Sequence, residues 1–203
     1  MPNAAGRGWG AAVLCGGASR RMGRDKALLV VEGAPMARRV AVAALEAGAA
    51  TVITVGGDAG GLREALAGWD VRIVPDRYPG EGPLGGLLTA LGNLGELDED
   101  VGLVVSCDLL APDPSTMAAT VAALATGAGD VAVPEVEGRR QWLHAAWRRS
   151  ARVGEGLAAT FAGGERSVHR AVTQARLTVL DVPDVAPGAV ADADTPDDLR
   201  QGT

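Results

Sequence analysis

Aromatic residues are scarce in this chain of 203 residues, with one Phe, one Tyr and four Trp, although 47% of the sequence is hydrophobic. A core built from such a composition must be aliphatic, as in an ordinary soluble globular protein. Cysteine is nearly absent too. Cys15 and Cys107 are the only two; they cannot form a disulfide framework or a zinc site of several thiolates, and both close apolar runs, so they are expected as reduced, buried thiols. No apolar run approaches the roughly 18 residues of a membrane span. The first nine residues hold no stretch of signal-peptide character, which gives a cytoplasmic expectation. Positive charge is in deficit, with 19 Lys and Arg against 25 Asp and Glu and a formal net charge of −6. Nucleic acid and anionic membrane are therefore not expected as partners, and any anion must be held by cations gathered locally.

What the sequence does hold is a regular alternation of short apolar runs and helical patterns. Residues 11–15 form a short apolar run closed by Gly16 and Gly17, as expected of a strand buried on both faces. Pro35, Val40, Ala44 and Leu45 lead to Gly48 at helical spacing. A strand at 52–55, a short helix at 62–66, a strand at 71–74, a helix at 84–94 and a strand at 101–107 follow. Further on, 115–125, 154–161 and 168–172 read as helices, 131–133, 142–147 and 177–180 as strands, and 195–199 as the start of a terminal helix. Alternating strands and helices predict right-handed crossovers and a Rossmann-like, doubly wound, mostly parallel sheet in an α/β/α arrangement. At this length one continuous core suffices, and no repeat or linker divides the chain. A short tail of residues 1–8 and a single domain over 9–203 are expected.

Ligands of an open parallel sheet bind beyond the carboxyl ends of its strands. The loop after the first strand, residues 16–26, places Arg20, Arg21, Arg24 and Lys26 within seven positions beside Gly16, Gly17 and Gly23. Such a loop can turn backbone N–H groups toward a phosphate chain while the cations neutralise it. It has neither Walker A spacing nor the dinucleotide Gly-x-Gly-x-x-Gly. The loop after the third strand carries Asp76 and then Gly82-Pro83-Leu84-Gly85-Gly86, where a flat base could meet the main chain. Asp76 reads equally as a ligand contact or a turn residue. The fourth strand ends in Cys107-Asp108; a carboxylate there suits Mg²⁺, which takes oxygen ligands, or caps a following turn. Asp192 and Asp194 could supply a second metal carboxylate, or Asp194 and Thr195 could cap the last helix.

Other chemistry has little support. His144 stands in an apolar run and reads as a sheet histidine rather than a base, and His169 as a surface residue. No nucleophile elbow or zinc-ligand spacing occurs.

Residues 14–29, Leu-Cys-Gly-Gly-Ala-Ser-Arg-Arg-Met-Gly-Arg-Asp-Lys-Ala-Leu-Leu, resemble the signature loop of the molybdenum cofactor guanylyltransferases. Gly82-Pro83-Leu84-Gly85-Gly86, Cys107-Asp108, Gly164-Glu165-Arg166-Ser167-Val168 and Asp194-Thr195-Pro196-Asp197-Asp198-Leu199 resemble that family's later segments. The matches run from about residue 11 to near the end. The resemblance implies transfer of GMP from GTP to the terminal phosphate of molybdopterin, with pyrophosphate released and Mg²⁺ required. Carried over by position, Leu14, Cys15, Gly16 and Gly17 lie against the nucleotide, as does the segment Gly82, Pro83, Leu84 and Gly85. Arg21 and Lys26 contact phosphates as catalytic cations, Asp76 contacts GTP, and Asp108 binds Mg²⁺; Asp194 is expected beside it as a second metal carboxylate, as in the cytidylyltransferases and sugar nucleotidyltransferases. The family also leaves room for a protein that delivers molybdopterin.

Three positions depart from the family pattern. Leu109-Leu110-Ala111-Pro112 follows Cys107-Asp108 where Met-Pro or Thr-Pro is usual, and Val55-Gly56-Gly57 stands where an Asn is expected. The late Asn-x-Asn-Thr-Pro reads Asp192-Ala193-Asp194-Thr195-Pro196, a form closer to cytidylyltransferases and sugar nucleotidyltransferases. A molybdopterin cytidylyltransferase, a sugar-phosphate nucleotidyltransferase and a non-catalytic nucleotide-binding protein are the alternatives.

Overall fold

A computed structural model describes residues 8–16, 25–94, 100–183, 185 and 187–192. Its centre is β1, Trp9–Leu14, which pairs in parallel with β4, Thr51–Val55, on one side and with β6, Val101–Ser106, on the other. Beyond β4 lies β5, Val71–Val74, also parallel. Beyond β6 the direction reverses: β9, His144–Arg148, runs antiparallel to β6 and to β7, Val131–Val136. The outermost strand on that side, β10, Val179–Val182, is parallel to β7. The order is thus β10-β7-β9-β6-β1-β4-β5, with the short β8, Arg139–Arg140, paired to β7. A separate two-stranded ribbon joins β2, Val30–Val31, to β3, Ala34–Pro35, through Glu32 and Gly33 at φ 51° and 80°. Positive φ at both central residues gives the turn the twist that such a tight ribbon requires.

Alternation along β1 shows why the sheet is covered twice. Ala11 and Val13 enter one apolar cluster with Val40, Ala41 and Ala44 of helix α1, Met36–Glu46, and with Met117, Val121 and Leu124 of helix α4, Pro114–Thr126. Helix α2, Ala59–Ala65, adds Leu62 on the same face. Ala12 and Leu14 enter the opposite cluster, with Leu84, Leu87, Ala90 and Leu94 of helix α3, Pro83–Leu94. Helices α5, Ala151–Ala162, and α6, Val168–Gln174, complete that face through Val153, Leu157, Ala171 and Val172. Each fully buried Val, Leu or Met side chain of these clusters contributes about 1.5–3 kcal/mol.

Helix starts follow local chemistry. Asp58, Asp113, Ser150 and Ser167 each accept backbone N–H groups of the first turn of α2, α4, α5 and α6, which satisfies donors that no helical carbonyl can reach. Pro114 stands at the first position of α4, where its missing N–H costs nothing.

The α/β expectation agrees with this architecture, and several boundaries move. The strand expected at 142–147 begins at His144, because His144 N–H donates to the Gln141 carbonyl at 3.0 Å and closes a turn over Trp142 and Leu143. The strand expected at 177–180 lies at Val179–Val182. Cys15 and Cys107 stand just past their strands. The β2–β3 ribbon and a 3₁₀ turn at Pro187–Val190 were not foreseen, and the helix expected from 195 lies outside the described residues. Among the described residues no helix is long and apolar enough to cross a membrane.

Candidate functional site

Four parallel strands deliver their carboxyl ends to one edge: β1 runs into Cys15 and Gly16, β4 into Gly56 and Gly57, β5 into Asp76, and β6 into Cys107 and Asp108. These ends are stitched together by main-chain bonds. Cys15 and Gly16 N–H both donate to the Val55 carbonyl, at 2.8 and 3.1 Å, and Cys107 N–H donates to the Leu14 carbonyl at 3.1 Å. Gly56 N–H donates to the Val74 carbonyl at 2.9 Å. Gly56 has φ +73° and lies so near β1 that a Cβ there would sit 3.1 Å from the Gly16 Cα. Only glycine allows both the backbone angle and the approach.

Lys26 and Asp108 meet at this edge. Lys26 Nζ donates to Asp108 Oδ2 at 3.2 Å, with 19% and 17% of the two side chains exposed. The other carboxylate oxygen, Oδ1, accepts the Ser106 hydroxyl. Lys26 is the chain's single lysine. Its backbone is set by Asp25, whose Oδ1 accepts Ala27 N–H at 3.0 Å and whose Oδ2 accepts Asp58 N–H at 2.9 Å. The 3₁₀ turn Lys26–Leu28 is thereby tied to the start of α2.

Asp76 is held just as closely. Its Oδ1 accepts Tyr78 N–H at 3.0 Å and the Thr89 hydroxyl at 2.9 Å, and its Oδ2 would lie 3.6 Å from a Cβ on Gly16. Asp76 is thus both a turn residue and a wall of the Gly16 cradle.

The segment 82–86 opens α3. Gly82, at φ +81°, packs on Arg166, and Leu84 N–H donates to the Arg166 carbonyl at 3.3 Å. Pro83 is the first helical residue. Gly85 is needed for packing, since a Cβ there would fall 2.8 Å from the Tyr78 Cβ. Arg166 is anchored by a Glu81 carboxylate at 2.7 Å and by the Phe161 carbonyl at 3.0 Å, with its guanidinium 4.2 Å from the Phe161 ring centroid.

Lys26, Asp76 and Asp108 therefore share one edge with Gly16. The side chains of Leu14, Cys15 and Leu84 point elsewhere: they are buried in the two apolar clusters, which leaves only their main chain for a ligand. Gly17, Arg21 and Asp194 lie outside the described residues. Both cysteines are free and buried. The hydrogen bond with Cys107 holds the Cys15 thiol well above its ordinary pKa, and burial and the Asp25 and Asp108 charges add to this. His169 is exposed and stacks on Trp142 at 5.5 Å.

Ser106, Asp25, Thr89 and Arg166 are the supports that sequence reasoning passed over as site residues. Ser106 precedes Asp108 by two and Asp25 directly precedes Lys26, a proximity that could have marked them. Thr89 carries no such signal, because its partner Asp76 is 13 residues away.

A family model described as a MobA-like NTP transferase domain matches residues 11–179. A probable molybdenum cofactor guanylyltransferase of Chloroflexus aggregans is 32% identical over 200 residues, covering 93% of this chain and 90% of its own length. One from Methanothermobacter thermautotrophicus is 40% identical over 98 residues, 48% of each chain; this chain thus spans about half the length of that relative. The solved molybdopterin-guanine dinucleotide biosynthesis protein A of Archaeoglobus fulgidus superposes with a TM-score of 0.75 at 21% identity over 95% of both chains. A Mycobacterium tuberculosis protein solved as a complex with manganese gives 0.71 at 23% identity over 96% and 97%. At these identities the two structures speak for a shared fold.

Proposed function

The chain belongs to the MobA-like NTP transferase domain family, and from that membership we propose that it is a molybdenum cofactor guanylyltransferase, moving GMP from GTP to a molybdopterin phosphate with release of pyrophosphate. One observation carries the reading: a lone lysine and a sheet-edge carboxylate, Lys26 and Asp108, face the same glycine-lined edge 3.2 Å apart. In-line transfer at phosphorus needs charge neutralised on the attacking, transferred and leaving oxygens more than it needs covalent help. Lys26 supplies a positive charge at that edge, and Ser106 with Lys26 orients Asp108. The attacking group is already a phosphate anion, so the transfer requires no strong general base.

Asp108 fits a hard divalent cation. Its side chain is 17% exposed at the edge, and Mg²⁺ takes oxygen ligands and relies on substrate phosphates for much of its shell. Bound there, Mg²⁺ would neutralise triphosphate charge. The manganese complex of the Mycobacterium tuberculosis relative supports a divalent ion at this fold. The backbone of Gly16 and of 82–86 suits the nucleotide, and Arg21 and Asp194 complete the proposed set of phosphate and metal contacts. The form Asp192-Ala193-Asp194-Thr195-Pro196 favours a second reading, CTP in place of GTP.

Pyrophosphate release measured with each of the four nucleoside triphosphates, Mg²⁺ and molybdopterin tests the proposal. GTP is expected to turn over, and Asp108→Ala to lower kcat by about 10²–10³-fold. Turnover with CTP alone would overturn the guanylyl reading. Because Lys26 is the single lysine, an amine-selective label read by mass spectrometry reports it and the N-terminus alone, and GTP should protect it.

A further inference from the structure

His144 does more than fill the sheet. It opens β9 opposite Val105 of β6, is only 4% exposed, and is followed by the fully buried Ala145, Ala146 and Trp147. Its Nε2 nevertheless lies 3.1 Å from Asp192 Oδ1, 48 positions along the chain. A carboxylate only accepts, so Nε2 carries the proton and donates it into this bond. Nδ1 is buried and has no hydrogen-bond partner among the described residues. An imidazole buried with one nitrogen unsatisfied is a poor choice for packing alone, since an apolar residue of similar shape would avoid that penalty.

The bond fastens a strip of chain to the site. Leu109, directly after Asp108, bridges to Asp192, and Leu110 N–H donates to the Ala191 carbonyl at 2.9 Å. Ala189 and Val190 are buried just before it. The Asp192 carboxylate itself stays 38% exposed. It bonds to His144 of β9 and bridges Leu109 after β6, whereas Gly16 follows β1 and Asp76 follows β5, on the other side of β6. Gly16 and Asp76 thus lie on one side of β6, and the His144 anchor of Asp192 on the other.

We propose that His144 is a positioning residue that holds Asp192 on the acceptor side of the site, where the carboxylate receives N–H or O–H donors of the acceptor. The role rests on the guanylyltransferase reading. A carboxylate fixed in this way recognises a heterocycle rich in N–H donors and does not recognise the phosphate, which it would repel.

Steady-state kinetics with GTP and molybdopterin varied separately test this, alongside hydrogen exchange at the Leu110 amide. His144→Leu and Asp192→Ala are expected to raise the acceptor KM by roughly tenfold with the GTP KM unchanged. His144→Gln, whose Nε2 can donate from a similar place, should restore much of the loss. The Leu110 amide should exchange faster in His144→Leu than in wild type. Equal rises in both KM values, or a loss of thermal stability with neither KM changed, would overturn the positioning role. If wild type releases no pyrophosphate from GTP with molybdopterin, it is the guanylyltransferase reading that fails; exchange at Leu110 then still reports whether His144 holds the strip.

Discussion

At the scale of single residues, the edge of the sheet depends on glycines where two strands nearly touch. Gly56 and Gly33 both have positive φ, +73° and +80°, yet a Cβ on Gly33 would meet nothing within 4 Å, whereas one on Gly56 would press on the Gly16 backbone at 3.1 and 3.2 Å. The two substitutions share the conformational penalty of a left-handed backbone, about 1–2 kcal/mol, and differ in the collision. Urea unfolding should therefore find Gly33→Ala less stable by about that amount and Gly56→Ala less stable still, with weaker GTP binding only in the latter. Equal losses, with GTP binding intact in both, would remove the close approach of β4 and β1 as a determinant of the site. Lys26 shows the same economy of placement: a chain with a single lysine puts it within reach of the sheet-edge carboxylate, and Asp25 fixes its main chain from both sides.

At the scale of elements, the turn between α5 and α6 clamps the loop that opens α3. Glu165 accepts Arg166 and Ser167 N–H, each at 2.8 Å, and pairs with Arg170 at 2.8 Å. The Arg170 guanidinium, with the Ser167 and Arg166 amides behind it, lowers the Glu165 pKa to about 2. A folded-state value below the unfolded one, about 4.3, means that the stability this group contributes is complete above the unfolded value and is lost as pH falls toward the folded one. Wild type should thus lose melting temperature between about pH 4.5 and 2 more steeply than Glu165→Gln, which has no such carboxyl to protonate. Parallel melting curves across that window would show that the clamp does not depend on the Glu165 charge. Since Leu84 hangs on the Arg166 carbonyl, the same loosening should reach the segment 82–86.

At the scale of the whole molecule, the sheet has a fully paired centre and two different flanks. β1 is bonded on both sides by parallel strands, while β5 and β10 are each paired on one side only in the described sheet. Opening free energies rise from the edges of a structure toward its core. Native-state hydrogen exchange should accordingly find the slowest amides at Ala12, Val13 and Val104, and faster ones throughout β5 and β10. If β5 exchanged as slowly as β1, the graded picture of the sheet would fail. Much of this architecture was legible beforehand, because apolar runs of strand length alternating with helical spacing leave few options but a doubly covered parallel sheet. The site was legible in part. Lys26, Asp76 and Asp108 stand where strand ends must fall, whereas the antiparallel β9, Thr89 behind Asp76 and the His144 bond to Asp192 left no local mark. The sequence by itself determined the fold class, the apolar faces and the glycine and charge content of each loop, since these follow from residue type and period. Only the tertiary structure decided the direction of β9, which buried side chains back each carboxylate and which half of the edge Asp192 joins, because pairing between distant segments depends on packing across the sheet and not on local preference.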